Sequence, residues 1–332
     1  MTYFLIAAVV FLFIATLVQL LRVSELLANL KKQDVNEVTD QDNNTQGKLF
    51  LIVGFGFLIF VVWQMINWNH LLLPAASSEH GTEIDSLMSV SMGLILVLFF
   101  ILSPILFIFA YRYRGRQSNK AYFLSHNNKL EVIWTVIPTI VLTCLIVYGL
   151  KVWDKTMNVK MTPETQVIEI YAQGLGKFGW TPRYAGEDNI LGNANYKLVD
   201  LDGGPNILGV DTLDPYFYDD KITREVHLVV GQPVLLKFRS QDVIHSAYLP
   251  HFRVQMNCVP GMTTQFGFTP NKTTKEMKIQ EGKDFEYTLL CNKICGAGHW
   301  NMHMKFVVET QEEYDAWYEN QEGLEKILIT QN

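Results

Sequence analysis

Four stretches of this chain can each cross a membrane as a helix, and that restricts every fold open to it. Residues 3–21, 49–66, 89–110 and 130–150 run for 18 to 22 residues, and Glu131 is the only Asp, Glu, Lys or Arg among them. Such lengths span a hydrocarbon core, where backbone groups must be satisfied within the segment. Trp63, Trp68, Trp134 and Trp153 lie near the block ends, where interface-anchoring aromatics concentrate. One such block could be a buried core helix. Four of them, anchored in this way, predict a membrane-spanning helical region.

Loop charges orient the bundle. The first loop carries Arg22, Lys31, Lys32 and Lys48, and the third carries Arg112, Arg114, Arg116, Lys120 and Lys129, whereas residues 67–88 between blocks two and three hold no Lys or Arg. Basic residues gather on the cytoplasmic side, so loops one and three are placed there. The N-terminus and everything after residue 153 are then outside, in a periplasm or its equivalent. No basic residue precedes the first block, which favours a retained membrane helix over a cleaved secretory signal.

Beyond residue 153 the pattern changes to short β-rich runs: VIEIYAQ, EVHLVV, PVLLKFR, FEYTLL and MKFVVE. Gly-Gln-Pro at 231–233 reads as the turn of a hairpin between the second and third runs. Many short strands with turns between them predict an all-β domain, an antiparallel sandwich or barrel. Residues 188–221, rich in Gly, Asn, Asp and Pro, read as a long inserted loop. Asp200, Asp202 and Asn206 lack the EF-hand spacing and its closing Glu, so this is expected to be a solvated acidic loop and not an ion site. Thr310 and Glu313 form a capping box, predicting a short closing helix through Tyr314, Trp317 and Tyr318. The expected organisation is a helical pair in 1–68, a helical hairpin in 69–155 and a β-domain in 156–332. A net charge of −6 argues against a nucleic-acid partner.

The chemistry concentrates in CNKICGAGHWNMH, residues 291–303. Cys291, Cys295, His299 and Met302 are spaced Cys-x3-Cys-x3-His-x2-Met. Thiolate, imidazole and thioether form a soft donor set that selects copper over hard cations. Two thiolates in one loop can bridge two copper ions, which then need one more histidine. His245, just after the run PVLLKFR, is the best placed. A Cys291–Cys295 disulfide and a structural zinc site are the alternatives, although zinc leaves Met302 without a role. His251 and His303 read as packing or surface histidines, and Cys144 and Cys258 as buried thiols.

These residues, with LEVIWTVIP at 130–138, DVIHS at 242–246 and PGM at 260–262, resemble subunit II of haem-copper cytochrome c oxidase across about residues 70 to 310. The resemblance implies a cupredoxin-like Greek-key barrel beyond the helices and a dinuclear copper centre, CuA. Cys291 and Cys295 would bridge the metals, His245 and His299 would each ligate one, Met302 would be the weak ligand, and the backbone carbonyl of Lys293 would complete the set. It also implies an electron donor, cytochrome c, on the outer face and a catalytic subunit I holding haem and CuB, among other oxidase subunits. The location would be a bacterial inner membrane. Blocks three and four match the family's two membrane helices, so residues 1–68 supply two additional ones.

Three positions carry further implications. Glu131 matches the family glutamate at the mouth of a proton pathway into the catalytic subunit. Phe178 and Trp180, in LGKFGWTPRY, stand where the family carries a Trp-x-Trp pair that receives electrons. Phe178 in the first position is either a simple core aromatic or the mark of a donor that docks differently, such as a permanently associated cytochrome, with the acidic insertion contributing. Lys293 replaces a family glutamate that helps hold an interface magnesium, and Gln255 and Asn257 replace a Lys-x-Asp nearby: either the magnesium is lost and the Lys293 ammonium stands in for its charge, or Lys293 points to solvent and other groups hold the metal. A quinol-oxidase subunit lacks the copper ligands, a CuA-bearing nitric oxide reductase shares them, and a copper assembly factor would need only a tether.

Overall fold

The computed structural model describes residues 2–30, 38–158, 162–174, 178–200, 202 and 204–329. Lys31 and Lys32 of the first loop, and residues 175–177 of LGKFGWTPRY, lie outside the described residues. Each apolar block becomes a helix longer than itself: α1 (Thr2–Leu30), α2 (Asp40–Asn67), α3 (Glu79–Arg112) and α4 (Asn128–Met157). Polar flanks continue the helices because propagation needs no new nucleus. Arg22 and Lys48 are therefore helical. A capping box that sequence reading missed starts α2: Thr39 Oγ1 accepts from the Asp42 N–H while the Asp42 carboxylate accepts from the Thr39 N–H.

The chain divides into two units. One comprises Met1–Asn69 with Leu94–Asn128. Within it, Gly54 makes room for Phe107, whose ring atoms would lie 2.3 Å from a Cβ at that position. Phe50 meets the same ring edge-on at 5.2 Å, and Arg114 donates to Asn44 Oδ1 over 2.6 Å.

The second unit comprises His70–Gly93 with Lys129–Asn332. Its β-domain holds β1 (Gln166–Gln173), β2 (Gly179–Tyr184), β3 (Lys221–Ile222), β4 (Val226–Val229), β5 (Val234–Ser240), β6 (His245–Leu249), β7 (Val254–Cys258), β8 (Thr264–Phe268), β9 (Tyr287–Cys291) and β10 (His303–Glu309). They form two five-stranded sheets, ordered β3-β2-β1-β5-β8 and β4-β10-β9-β6-β7. The expected all-antiparallel pattern needs correction, because β1 runs parallel to β5 and β10 parallel to β4. The predicted hairpin at 231–233 is also corrected. Gly231, at φ 79°, makes the turn, but β4 and β5 belong to different sheets, so the turn crosses the sandwich. Turn residues announce a reversal without saying which sheet receives the next strand.

Ile168, Ile170, Leu228, Leu236, Phe238, Phe252, Leu289 and Phe306 fill the space between the sheets. The first strand is buried on both faces, because the insertion lays Leu208, Val210 and Phe217 over Tyr171, together with Leu324 and Leu328 of α7 (Leu324–Ile329). A wholly solvated acidic loop is therefore the wrong picture. Asp220 is fully buried and accepts from Arg183 Nη1 at 3.0 Å, while Arg183 Nε and Arg239 Nη1 reach the two oxygens of buried Glu169 at 2.8 and 3.0 Å. Burial alone would raise the Glu169 carboxyl, but the two guanidinium groups hold it below the ordinary carboxylate range. Burial pushes Asp220 up to about 7, although Arg183 draws it down.

Two capped helices complete the domain: α5 (Thr274–Glu281), which sequence reading missed, and α6 (Gln311–Tyr318), whose Thr310–Glu313 capping box forms as expected. Trp317 of α6 stacks on buried His227 at 3.9 Å, fastening the helix to β4. The segment before α3 joins the sandwich by backbone pairing: Ser77 N–H donates to the His251 carbonyl, and Asn271 N–H to that of Ser77. Cys144, expected to be buried, is exposed on α4, as a residue on an outward-facing apolar helix surface is.

Candidate metal centre

Two strand ends and one loop build the candidate site. Neighbouring strands β9 and β10 are joined by residues 291–302, and the Cys291 N–H donates to the Met302 carbonyl at 3.1 Å, closing the neck of the loop. On the other side of β9 lies β6, pairing Ala247 with Cys291, so His245 stands at the adjacent strand end. Inside the loop, Gly296 adopts φ 138°, a left-handed-side conformation that a residue with a Cβ rarely takes, and turns the chain so that Cys295 and His299 face back towards Cys291.

The side chains named from sequence converge. Cys291 Sγ lies 3.8 Å from Cys295 Sγ, which in turn lies 3.5 Å from His299 Nδ1 and 3.8 Å from Met302 Sδ. The Lys293 carbonyl oxygen is 3.3 Å from Cys291 Sγ. His245 offers a ring nitrogen within 4.8 Å of both sulfurs. At 3.8 Å the cysteines are free thiols, far beyond the ~2.05 Å of a disulfide.

The surroundings orient these donors. Asp242 Oδ1 lies 3.0 Å from His245 Nε2, and His245 Nδ1 is buried with no hydrogen-bond partner. A carboxylate on one ring nitrogen fixes the ring and leaves the other nitrogen as donor, the usual arrangement behind a metal-binding histidine. An orphaned buried nitrogen beside two sulfurs fits a metal. Burial lowers the His245 pKa, but the facing Cys291 and the Asp242 carboxylate outweigh it and raise the value. Burial likewise raises Cys291, yet the facing His245 imidazole and hydrogen bonds from the backbone bring it down to about 6. Burial and the neighbouring Cys291 charge push Cys295 up to about 11. Cys258, paired with His245 across β6 and β7, is a buried thiol as expected, raised to about 12 by burial.

The aromatic pair is split. Trp180 is buried, with its ring 6.2 Å from that of His245, whereas Phe178 is half-buried against the ligand loop itself. A Cβ on Gly296 or Gly298 would come within 2.8 or 2.3 Å of the Phe178 ring. Lys293 turns its side chain to solvent, and Gln255 and Asn257 are exposed on β7. Glu131 lies elsewhere, in the first turn of α4. Sequence reading missed Asp242 as the partner of His245, although its i−3 spacing was there to be read.

Fold and site together define a class: a cupredoxin-like domain on a membrane anchor, with thiolate, imidazole and thioether donors gathered at one rim. Residues 63–152 match the family described as cytochrome C oxidase subunit II, transmembrane domain, and residues 217–311 match its periplasmic domain. The alternative cytochrome c oxidase subunit 2 of Bradyrhizobium diazoefficiens is 27% identical over 278 residues, covering 82% of this chain and 90% of its own. The cytochrome c oxidase subunit 2 of a Synechocystis species is 27% identical over 276 residues, 79% of each chain. Among solved structures, the periplasmic domain of subunit II of cytochrome oxidase from Bradyrhizobium japonicum covers 50% of this chain and 99% of its own, at 21% identity and a TM-score of 0.31.

The chain belongs to the cytochrome c oxidase subunit II family. It is a membrane protein with its β-domain outside the cytoplasm, and a subunit of a haem-copper oxidase, an oxidoreductase complex.

Proposed function

We propose that this subunit receives electrons from a cytochrome c at a dinuclear copper centre and passes them to haem in catalytic subunit I. Oxygen is reduced to water there, at haem and CuB, coupled to proton translocation. The observation that carries the reading is the convergence of His245, Cys291, Cys295, His299 and Met302 with the Lys293 carbonyl. Copper held by His245, Cys291, Cys295, His299 and Met302 would supply a one-electron relay. The chain's own part is to hold those donors on a rigid rim: Asp242 orients His245, and the Cys291–Met302 neck fixes the loop ends. Trp180 and Phe178 line that rim and are the aromatic groups through which an electron would arrive.

Cys295→Ser in the purified complex is expected to abolish the delocalised mixed-valence EPR signal. An unchanged spectrum would refute the assignment. On the bacterial inner-membrane topology read from the loop charges, Glu131 stands at the cytoplasmic mouth of α4 and feeds protons to the catalytic subunit. Glu131→Ala is then expected to slow turnover with the copper spectrum intact, and wild-type turnover would remove Glu131 from the pathway.

Of the seven Asp in the insertion Asp214 and Asp220 are buried, and the other five, against Lys197 and Lys221, offer a surface to a basic donor. Turnover that falls steeply with salt marks a transient cytochrome, and salt-independent turnover with a copurifying one marks a fixed donor. Lys293 places an ammonium where the family's magnesium carboxylate would be, so no stoichiometric magnesium is expected at the interface with subunit I.

A further inference from the structure

Between β6 and β7 the chain turns through Pro250–Phe252 and then Arg253, whose backbone sits at φ 56° and ψ 33°. Residues with a Cβ seldom hold this left-handed conformation, and they keep it where surrounding contacts over-determine it. The Arg253 side chain supplies such contacts. Its Nε donates to Asp85 Oδ1 at 2.7 Å and its Nη2 to Asp85 Oδ2 at 2.9 Å, a paired-fork contact. The same guanidinium donates from Nη2 to the Pro74 carbonyl and from Nη1 to the Pro250 carbonyl. Only 6% of the side chain is exposed, so nearly all of its donors are spent on protein acceptors.

What these contacts join gives them a role. Asp85 lies near the start of α3, and Glu83 of the same helix pairs with Lys155 of α4. Arg253 closes the β6–β7 hairpin, whose other end pairs His245 with Cys258. Gly81 permits the approach, since a Cβ there would lie 3.2 Å from Arg253 Cγ. A short, fully paired hairpin moves as one body, so a displacement of its turn carries the whole donor-bearing rim with it.

We infer that Arg253 and Asp85 are positioning residues: they set the pose of the donor-bearing β6–β7 hairpin on the helices, and with it the distance over which an electron leaves the metal site. This rests on the electron-transfer reading above. The backbone pairing at Ser77 holds the same region by single neutral hydrogen bonds, whereas the guanidinium fork is a charged, paired contact that fixes direction as well as distance. Lysine would keep the charge without the fork.

The test uses the intact oxidase complex carrying Asp85→Asn or Arg253→Lys, with electron arrival at copper and departure to haem followed separately by rapid kinetics. A misplacement of about 1 Å far from the chemistry can cost up to about a hundredfold in rate, so departure is expected to slow by about tenfold or more in both variants. Arrival from the donor, the copper EPR spectrum and the copper potential are expected to stay at wild-type values. Unchanged departure in both variants would overturn the inference. So would slower departure accompanied by a shifted spectrum or potential, which would place the two residues in ligand geometry instead of pose. A wild-type complex without a copper signal would instead sink the copper reading on which this one rests.

Discussion

The ligand loop at 291–302 and the insertion at 188–221 interrupt the same sandwich, and different forces hold them. The ligand loop is short, begins and ends on neighbouring strands, and is closed by one backbone hydrogen bond between Cys291 and Met302. Most of its donors lie within it, and its outside ties are few: the Asn292 N–H bond to the Ser246 carbonyl and the Phe178 ring. The insertion is nearly three times as long and has little regular structure beyond two short 3-10 turns. It is tied down from a distance: Arg183 bonds Glu169, Asp220 and the Gly192 carbonyl, while Arg239 reaches the Leu208 carbonyl. A functional loop can be held by its own sequence. A long covering loop needs partners elsewhere in the fold.

The sharpest way to separate the two is to cut the distant tie. Arg183→Met leaves Asp220 buried without its cation, and removing one partner of a buried pair typically costs about 3–5 kcal/mol. Urea unfolding of the solubilised chain should register that loss, and amide exchange should quicken across the insertion. The copper EPR signal is expected to survive. Its disappearance would show the two loops to be one cooperative unit.

A smaller effect is expected inside the ligand loop. Met302→Leu keeps the volume of a buried side chain, so it should cost less than about 1.5 kcal/mol. Copper should remain and its potential shift, because a weak ligand tunes the site more than it holds it. Redox titration reads this directly, and loss of copper would mean that Met302 carries more of the binding than its role as weak ligand allows.

A further expected effect is a pH slope. Asp220 is raised from its ordinary 3.8 to about 7 in the fold, so between those values the folded chain holds a proton that the unfolded chain has released. Stability therefore falls as pH rises through that window and levels off above it. Glu169, lowered in the fold, has the opposite sign: its contribution is present above its ordinary 4.5 and is lost as pH falls below. Asp220→Asn should flatten the decline between about pH 4 and 7 in unfolding midpoints. A slope unchanged by the substitution would assign it to other groups.

Local pattern was legible and distant pairing was not. The four membrane helices came from apolar length, and the convergence at the rim from spacing within one loop plus a histidine at a strand start. The Thr310 capping box needed only a four-residue window. The crossing at Gly231 was unreadable, because the same turn chemistry serves a hairpin or a change of sheet. Asp220 read as solvated because its partner Arg183 lies 37 residues earlier. Nothing in the composition of the insertion shows Phe217 and Val210 covering Tyr171. Cys144 misled because an apolar neighbourhood in a sequence means burial in water and exposure in lipid.

Phe178 and the glycines at 296 and 298 leave one mark on how this sequence can change. The ring fills the space where two β-carbons would stand, so neither glycine can gain a side chain while the ring remains. A smaller residue at 178 would open that space, and only then could a methyl group at 298 be accommodated. Changes at these positions are therefore non-additive, each harmful alone and tolerable together. For Gly296 even that route is narrow, since its φ of 138° would strain any side chain whatever the room. The size of the aromatic just before β2 and the bareness of the ligand loop are one trait, constrained to vary as a pair.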